Sequence, residues 1–236
     1  GTLNLDGTRY MIIPNSEEFN IAAGGKLTVS LKAKISSNAM QTFISNRVRR
    51  YENSNNNDVS GWAIYNVPGT TSTSFNYPGS SWTARHHDSS GISTGEWHHL
   101  CWVYSGSSSA FYVDGVAVSN PPAVNNSPIP SYCDILVGAG YTMTDHTKFS
   151  IENLNNFVNG NIDDVRIYGD ALSSSEVAQD KEATAPLSDK NIIAAYDFAE
   201  IKGIHVTDIS GNGHTGELVN FPTAAETYLL TIETPE

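Results

Sequence analysis

Basic side chains are scarce in this chain. Lys and Arg number 13 in 236 residues against 25 Asp and Glu, a formal charge of −12. A surface of that sign repels phosphate backbones and anionic headgroups, which argues against nucleic acid or an acidic membrane as partner and leaves neutral ligands, cations and sugars. Cysteine is nearly absent. Cys101 and Cys133 are too few for a disulfide scaffold or a thiolate metal framework. They read either as small buried hydrophobes or as one disulfide, which would need their strands within bonding distance. No apolar run reaches the roughly 18 residues of a spanning helix, so membrane insertion is not expected. No secretory leader precedes Gly1, which opens onto a strand-like segment, and a trimmed start is the expectation.

Helical periodicity is also missing from nearly the whole chain, and alternation stands in its place. Leu27, Val29, Leu31, Ala33 and Ile35 alternate with Thr28, Ser30, Lys32 and Lys34, the period of two of a half-buried strand. Similar runs rich in β-branched and aromatic residues occur at 9–13, 61–66, 97–104, 110–118, 135–138, 161–168 and 192–198, separated by Gly, Asn, Ser and Pro. Asp114-Gly115 between two such runs predicts a type I′ hairpin, whose two central residues need positive φ. One helical signal is present. Ser173 with Glu176 three residues on forms a capping box, and Leu172 and Val177 are placed as a hydrophobic staple, predicting a short helix near 173–182. Hydrophobic residues make up 39% of the chain, enough for a real core. The expected fold is all-β, a two-sheet antiparallel sandwich or jelly roll.

Two long loops are expected, at 46–60 and 67–91, with a third at 139–150, and a proline-containing connector at 119–130. Long loops in a compact domain are uncommon unless functional or disordered, and the aromatic and cationic content of these favours function.

Taken in order, the segments LNLDGTRYMIIP, KLTVSLKAKI, GEWHHLCWVY, AFYVDGVAV and GNIDDVRIYGDALSSSEV resemble the successive landmarks of laminin-G-like jelly-roll domains of the concanavalin-A-like lectin and glucanase superfamily. They cover most of residues 1–180. The resemblance implies two curved antiparallel sheets, in a family common among bacterial secreted glycosidases, lectin-like modules and surface lipoproteins. The later stretch IIAAYDFAEIKGIHVTDISGNGHTGEL is similar to a segment that normally opens such a domain. It is either the start of a second copy or, as expected here, a displaced segment at 191–220 that completes the sheet of a single permuted domain over 1–236, because roughly 30 residues bury no core of their own.

Related glycoside hydrolases of this fold carry an E-x-D-x-x-E motif, since retaining hydrolysis needs paired carboxylates about 5 Å apart. Glu52, Glu96, Glu152 and Glu200 each lack an acidic residue two positions on, and no G-x-S-x-G elbow occurs. His98 and His99 lie in a strand-like run and point to opposite faces, so one site does not readily use both. Metal ligation has four candidates. Asp163 is expected on the core face with Val165 and Ile167, where a carboxylate must be hydrogen-bonded, paired or bound to a cation; Asp208, Asn212 and Asp6 lie in Gly-containing turns rich in oxygen. Each is read either as a turn former or as a ligand of structural calcium, which the resemblance allows and nothing requires. Sugar recognition needs flat aromatic faces and planar polar groups. Arg49, Tyr51, Tyr77, Trp82, Arg85, His86, Tyr141 and His146 meet that description in the expected loops, whereas Trp62, Trp97 and Trp102 lie in strand-like runs and are expected in the core.

These readings converge on a non-catalytic carbohydrate-binding, lectin-like module of a secreted, periplasmic or outer-surface bacterial protein, with glycan as partner. A protein-binding or adhesion module of the same fold is the alternative, and a hydrolase with an unrecognised acid pair a weaker one.

Overall fold

Apolar residues at alternate positions of the first long strand, Leu27, Val29, Leu31, Ala33 and Ile35, are all at most 1% exposed. The computed structural model describes residues 1–21, 25–49, 59–75, 87–118, 130–141 and 154–222. In chain order the strands are β1 (Leu3–Asp6), β2 (Tyr10–Ile13), β3 (Leu27–Ile35), β4 (Gln41–Ser45), β5 (Val48–Arg49), β6 (Val59–Ser60), β7 (Trp62–Val67), β8 (Thr70–Phe75), β9 (His87–Ser89) and β10 (His98–Tyr104). There follow β11 (Ser109–Val113), β12 (Val116–Ala117), β13 (Ile135–Val137), β14 (Gly140–Tyr141), β15 (Leu154–Asn155), β16 (Asn159–Tyr168), the helix α1 (Ser174–Glu182), β17 (Ile192–Tyr196), β18 (Ile201–Lys202), β19 (His205–Val206) and β20 (Gly216–Val219).

Two antiparallel sheets form a β-sandwich. One has seven strands in the order β1, β16, β3, β10, β11, β12, with β17 also on β16; the other has nine, in the order β18, β19, β20, β2, β13, β4, β7, β8, β9. The inward faces meet in one core that includes Leu31, Phe43, Trp62, Trp102, Phe111, Val137, Ile167 and Tyr196. Residues 192–219 enter both sheets: Val165 pairs with Tyr196, and Tyr10 with Val219.

The predicted hairpin is present, with φ of 54° at Asp114 and 82° at Gly115, and Leu100 to Tyr104 pair antiparallel with Val113 to Ser109. So is the helix. The Ser173 side chain accepts from the Glu176 N–H, and the Glu176 side chain accepts from the Ser173 N–H.

Packing on the outer face of the seven-stranded sheet exceeds the half-burial expected of β3. The helix and the residues just before it cover this face, with Val177 and Leu172 against Cys101, Val103, Tyr112 and Tyr168. Thr28 and Ser30 are therefore also buried, and their hydroxyls bond the Asp170 carbonyl and the Asp180 carboxylate, each at 2.7 Å.

Two expectations are corrected. Asp163 does not share the core face with Val165 and Ile167, because the register of β16 against β3 shifts between Asp163 and Arg166 and Asp164 takes a φ of 47°. This bulge inserts a residue and breaks the period of two, so Ile162 and Val165 both point inward while Asp163 and Asp164 are half-buried. Residues 67–91 are not one long loop, since β8 and β9 lie within them. The strand β8 is TTSTSF, rich in threonine and polar, and its buried Thr71 Oγ1 donates to Asn66 Oδ1 at 3.0 Å, which lets that hydroxyl be buried. Cys101 and Cys133 are not joined in a disulfide. Cys101 lies under the helix, where burial pushes its thiol up.

Candidate functional site

Of the residues expected to contact a ligand, Tyr51, Tyr77, Trp82, Arg85, His86 and His146 lie outside the described residues, and Arg49 is placed only by its backbone, as the end of β5. Tyr141 is half-buried in β14. Its hydroxyl donates to the Asp134 carbonyl at 2.9 Å, and its ring packs on the cluster of Tyr10, Leu136 and Ala139. Burial, reinforced by Cys133 and Asp134, pushes its phenol well above the usual range.

The four metal candidates are dispersed over the fold, and each is engaged by neighbouring donors or acceptors. Asp6 Oδ1 accepts from Thr8 Oγ1 at 2.7 Å, Thr8 N at 2.9 Å and Arg9 N at 3.2 Å, a turn that holds its carboxyl below the ordinary value. Asp163 accepts from the Asp164 N–H at 2.8 Å, and burial raises its pKa. Asp208 is the most engaged: Oδ1 accepts from Ala195 N and Ser210 N, and Oδ2 from His214 N, all at 2.9 Å. Asn212 Nδ2 donates to the carbonyls of Ile192 and Ile193, at 2.8 and 2.9 Å. These bonds tie the 208–214 turn to β17. Among the described residues no group of three or more His, Cys, Asp or Glu side chains converges as a metal site.

A different surface combines an aromatic face with fixed polar groups. Trp97 is not in the core. It immediately precedes β10 and is 41% exposed, with Lys34 Nζ 5.5 Å from its ring centroid. Next to it His98 is the centre of a hydrogen-bonded line. Nδ1 lies 2.7 Å from Asp114 Oδ2, Nε2 lies 2.8 Å from Ser93 Oγ, and Ser93 Oγ donates to Glu96 Oε2 at 2.6 Å. Local folding sets each member. The hairpin turn brings Asp114 back to the start of β10, where its N–H donates to the His99 carbonyl at 2.8 Å and its Oδ1 accepts from the His99 N–H at 2.9 Å. The 93–97 loop is pinned to the end of β3 by Gly95 N–H to the Ile35 carbonyl at 2.9 Å, and beneath it Ile92 is buried. Ser93 and Glu96 are exposed.

His99 points the other way, as strand geometry requires. It is buried under the helix with Nε2 3.2 Å from Asp180 Oδ2. The expectation that two adjacent strand histidines serve different places therefore describes them. Trp97 was missed because the strand begins one residue later than its run of residue types suggests, and the partnership of His98 with Asp114 needs the hairpin to form. The Asp-Gly turn facing the WHHL segment was the available signal.

Chemically, the surface offers a partly exposed indole face with an ammonium beside it, a stacking platform with a charged hydrogen-bond donor at its edge.

Comparison with known proteins is consistent with this fold. A presumed carbohydrate-binding protein from Bacteroides ovatus superposes with a TM-score of 0.61 at 12% identity, over 93% of this chain and 62% of that one. Domain 4 of the extracellular arabinanase AbnA from Geobacillus stearothermophilus, in complex with arabinotriose, superposes with a TM-score of 0.46 at 22% identity, over 76% of each chain. In sequence, the N,N-dimethylformamidase β subunit of Paracoccus aminophilus is 41% identical over 75 residues, 29% of this chain, and the chain spans 10% of the length of that relative. Residues 5–178 match the Laminin_G_3 family, and the chain accordingly belongs to that family of the concanavalin A-like lectin/glucanases superfamily.

Proposed function

We propose that the chain is a non-catalytic glycan-binding module of a secreted or outer-surface bacterial protein. The observation that carries this reading is Trp97. Trp62 and Trp102 are 2% and 1% exposed, whereas Trp97 is 41% exposed. Burying a large apolar side chain is worth about 1.5–3 kcal/mol, and a ligand stacked on this indole recovers part of that. A pyranose suits the surface, with a flat apolar face for the indole and a hydroxyl for Lys34 beside it. Membership of a lectin and glucanase superfamily and likeness of fold to a presumed carbohydrate binder support the same class.

Affinity electrophoresis through soluble arabinan, xylan, galactan and β-glucan tests it. Retardation by at least one is expected, weakened on the order of tenfold in Trp97→Ala. Retardation by none would overturn the reading and favour a protein-binding module, and release of reducing sugar would overturn its non-catalytic part. Substituting Trp82 and Arg85 in the same assay reports whether the 67–91 segment shares the ligand.

A further inference from the structure

A row of four side chains crosses the seven-stranded sheet on the part of its outer face beyond the helix. In β3, Leu31, Ala33 and Ile35 fill the core, so Lys32 and Lys34 lie on the outer face with Ser30, whose hydroxyl meets Asp180 of the helix. Residues paired across neighbouring strands share a face. Lys34 pairs with Asn161 of β16, and Asn161 with Asn4 of β1. On the other side of β3, His98 pairs with Ala33, which sets Trp97 level with Lys34, and Lys34 Nζ lies 5.5 Å from the indole centroid. Trp97, Lys34, Asn161 and Asn4 therefore stand side by side, in the order of their strands in the sheet.

The two carboxamides orient each other, because Asn161 Nδ2 donates to Asn4 Oδ1. That bond leaves Asn161 Oδ1 as an acceptor and Asn4 Nδ2 as a donor, with Asn4 exposed and Asn161 half-buried. The rows on either side are already engaged. Toward the helix, Lys32 Nζ pairs with Asp164 Oδ2 at 2.8 Å, and Asp163 Oδ1 accepts from the Asp164 N–H. Away from it, Asp6 Oδ1 is held by the N–H groups of Thr8 and Arg9.

We infer that this row is a binding track for a neutral, linear glycan lying across the strands, with one ring on Trp97 and the hydroxyls of the following rings on Lys34, Asn161 and Asn4. The inference rests on the glycan-binding reading of the Trp97 surface, and it adds a direction, a length and a charge. Neighbouring strands are about 4.8 Å apart, so the row spans about 14 Å, the reach of roughly three linked pyranose rings. A carboxamide both donates and accepts, as a hydroxyl does, so the pair suits a chain of hydroxyls better than it suits an ion. Asp6, Asp163 and Asp164 flank the row on a chain of formal charge −12, a field that repels a polyuronate.

Calorimetric titration of the full chain with β-gluco-, xylo-, galacto- and arabino-oligosaccharides, as dimers and as pentamers, tests the track. At least one pentamer is expected to bind on the order of tenfold tighter than its dimer, since only the longer chain reaches both carboxamides. Asn161→Ala and Asn4→Ala should each weaken that pentamer on the order of fivefold, the worth of one neutral hydrogen bond, and leave the dimer unchanged. Trp97→Ala weakens both lengths. Asn4 is exposed, so Asn4→Ala decides the matter even where Asn161→Ala lowers the melting temperature. Equal binding of dimer and pentamer, or wild-type affinity of Asn4→Ala for the pentamer, overturns the track and leaves the glycan reading standing. An oligogalacturonate that binds as tightly as the neutral pentamers overturns the assigned charge. Binding to no sugar overturns the glycan reading and the track with it.

Discussion

Arg166 donates through Nη1 to Asp180 Oδ1 at 3.0 Å, with the two side chains 3% and 1% exposed beneath the helix. Asp180 also accepts from Tyr168 OH at 2.6 Å on the same oxygen, and from Ser30 Oγ at 2.7 Å and His99 Nε2 at 3.2 Å on the other. Arg166 further donates to the Asp180 and Ala183 carbonyls at 2.8 and 2.7 Å, which places it at the helix C-terminus. A cation there complements the helix dipole. A carboxylate with four donors is the condition under which a buried charge is tolerated. Removing it strands Arg166, and Asp180→Ala is expected to cost about 3–5 kcal/mol, read as a drop in urea midpoint.

The same carboxylate makes part of the stability acid-labile. Burial opposes its ionisation, yet His99, Arg166, Tyr168 and Ser30 together hold its pKa well below the usual aspartate range. A depressed folded pKa means the contribution is fully present above about pH 4, the ordinary aspartate value, and is lost as pH falls toward the lower folded value. Asp180→Asn is therefore expected to flatten the acid limb of the melting temperature against pH. An acid limb identical to wild type would show that other carboxylates set it.

Asp208 is predicted to be structural. It is 8% exposed and takes three backbone N–H bonds that join β17 to the 208–214 turn. Asp208→Ala orphans those donors at a cost of about 2–4 kcal/mol, measured by thermal melting. Because its oxygens already face N–H groups, as do one each of Asp6 and Asp163, neither chelator nor added calcium is expected to shift the melting temperature. A rise on adding calcium would reopen the question of a cation site.

Deleting residues 187–236 tests whether the displaced segment belongs to one folding unit with the rest. The deletion removes β17 from one sheet and β18, β19 and β20 from the other, along with Tyr196, Phe198 and Val206 from the core. Loss of a cooperative transition is expected; an unchanged melting temperature would make the segment an appendage.

Where side-chain chemistry dictates local backbone, the sequence was readable. The alternation of β3, the positive φ of Asp114-Gly115 and the Ser173 cap each depend on neighbours a few residues away. What escaped depends on contacts distant in sequence. The bulge at Asp163 and Asp164 reverses a face assignment because a period of two has no memory of an inserted residue. The polar strand β8 gave no apolar pattern, and its buried Thr71 is satisfied by Asn66 and by the Ile92 N–H. The line through His98 joins residues 93, 96, 98 and 114, and no spacing rule predicts it. Most of the aromatic and cationic loop residues singled out for sugar contact lie outside the described residues, so the surface at Trp97 was reached from exposure rather than from motif.

The strand β16 carries two partners along one edge, β1 against residues 159–162 and β17 against residues 165–168, with the bulge between them. During synthesis the first of these partners is available long before the second. Until β17 emerges, Val165 to Tyr168 present unpaired backbone beside an unfinished core, an open template for another chain. Final closure of the seven-stranded sheet is therefore a late event in the life of the nascent protein, and the interval before it is when the chain most needs protection from its own copies.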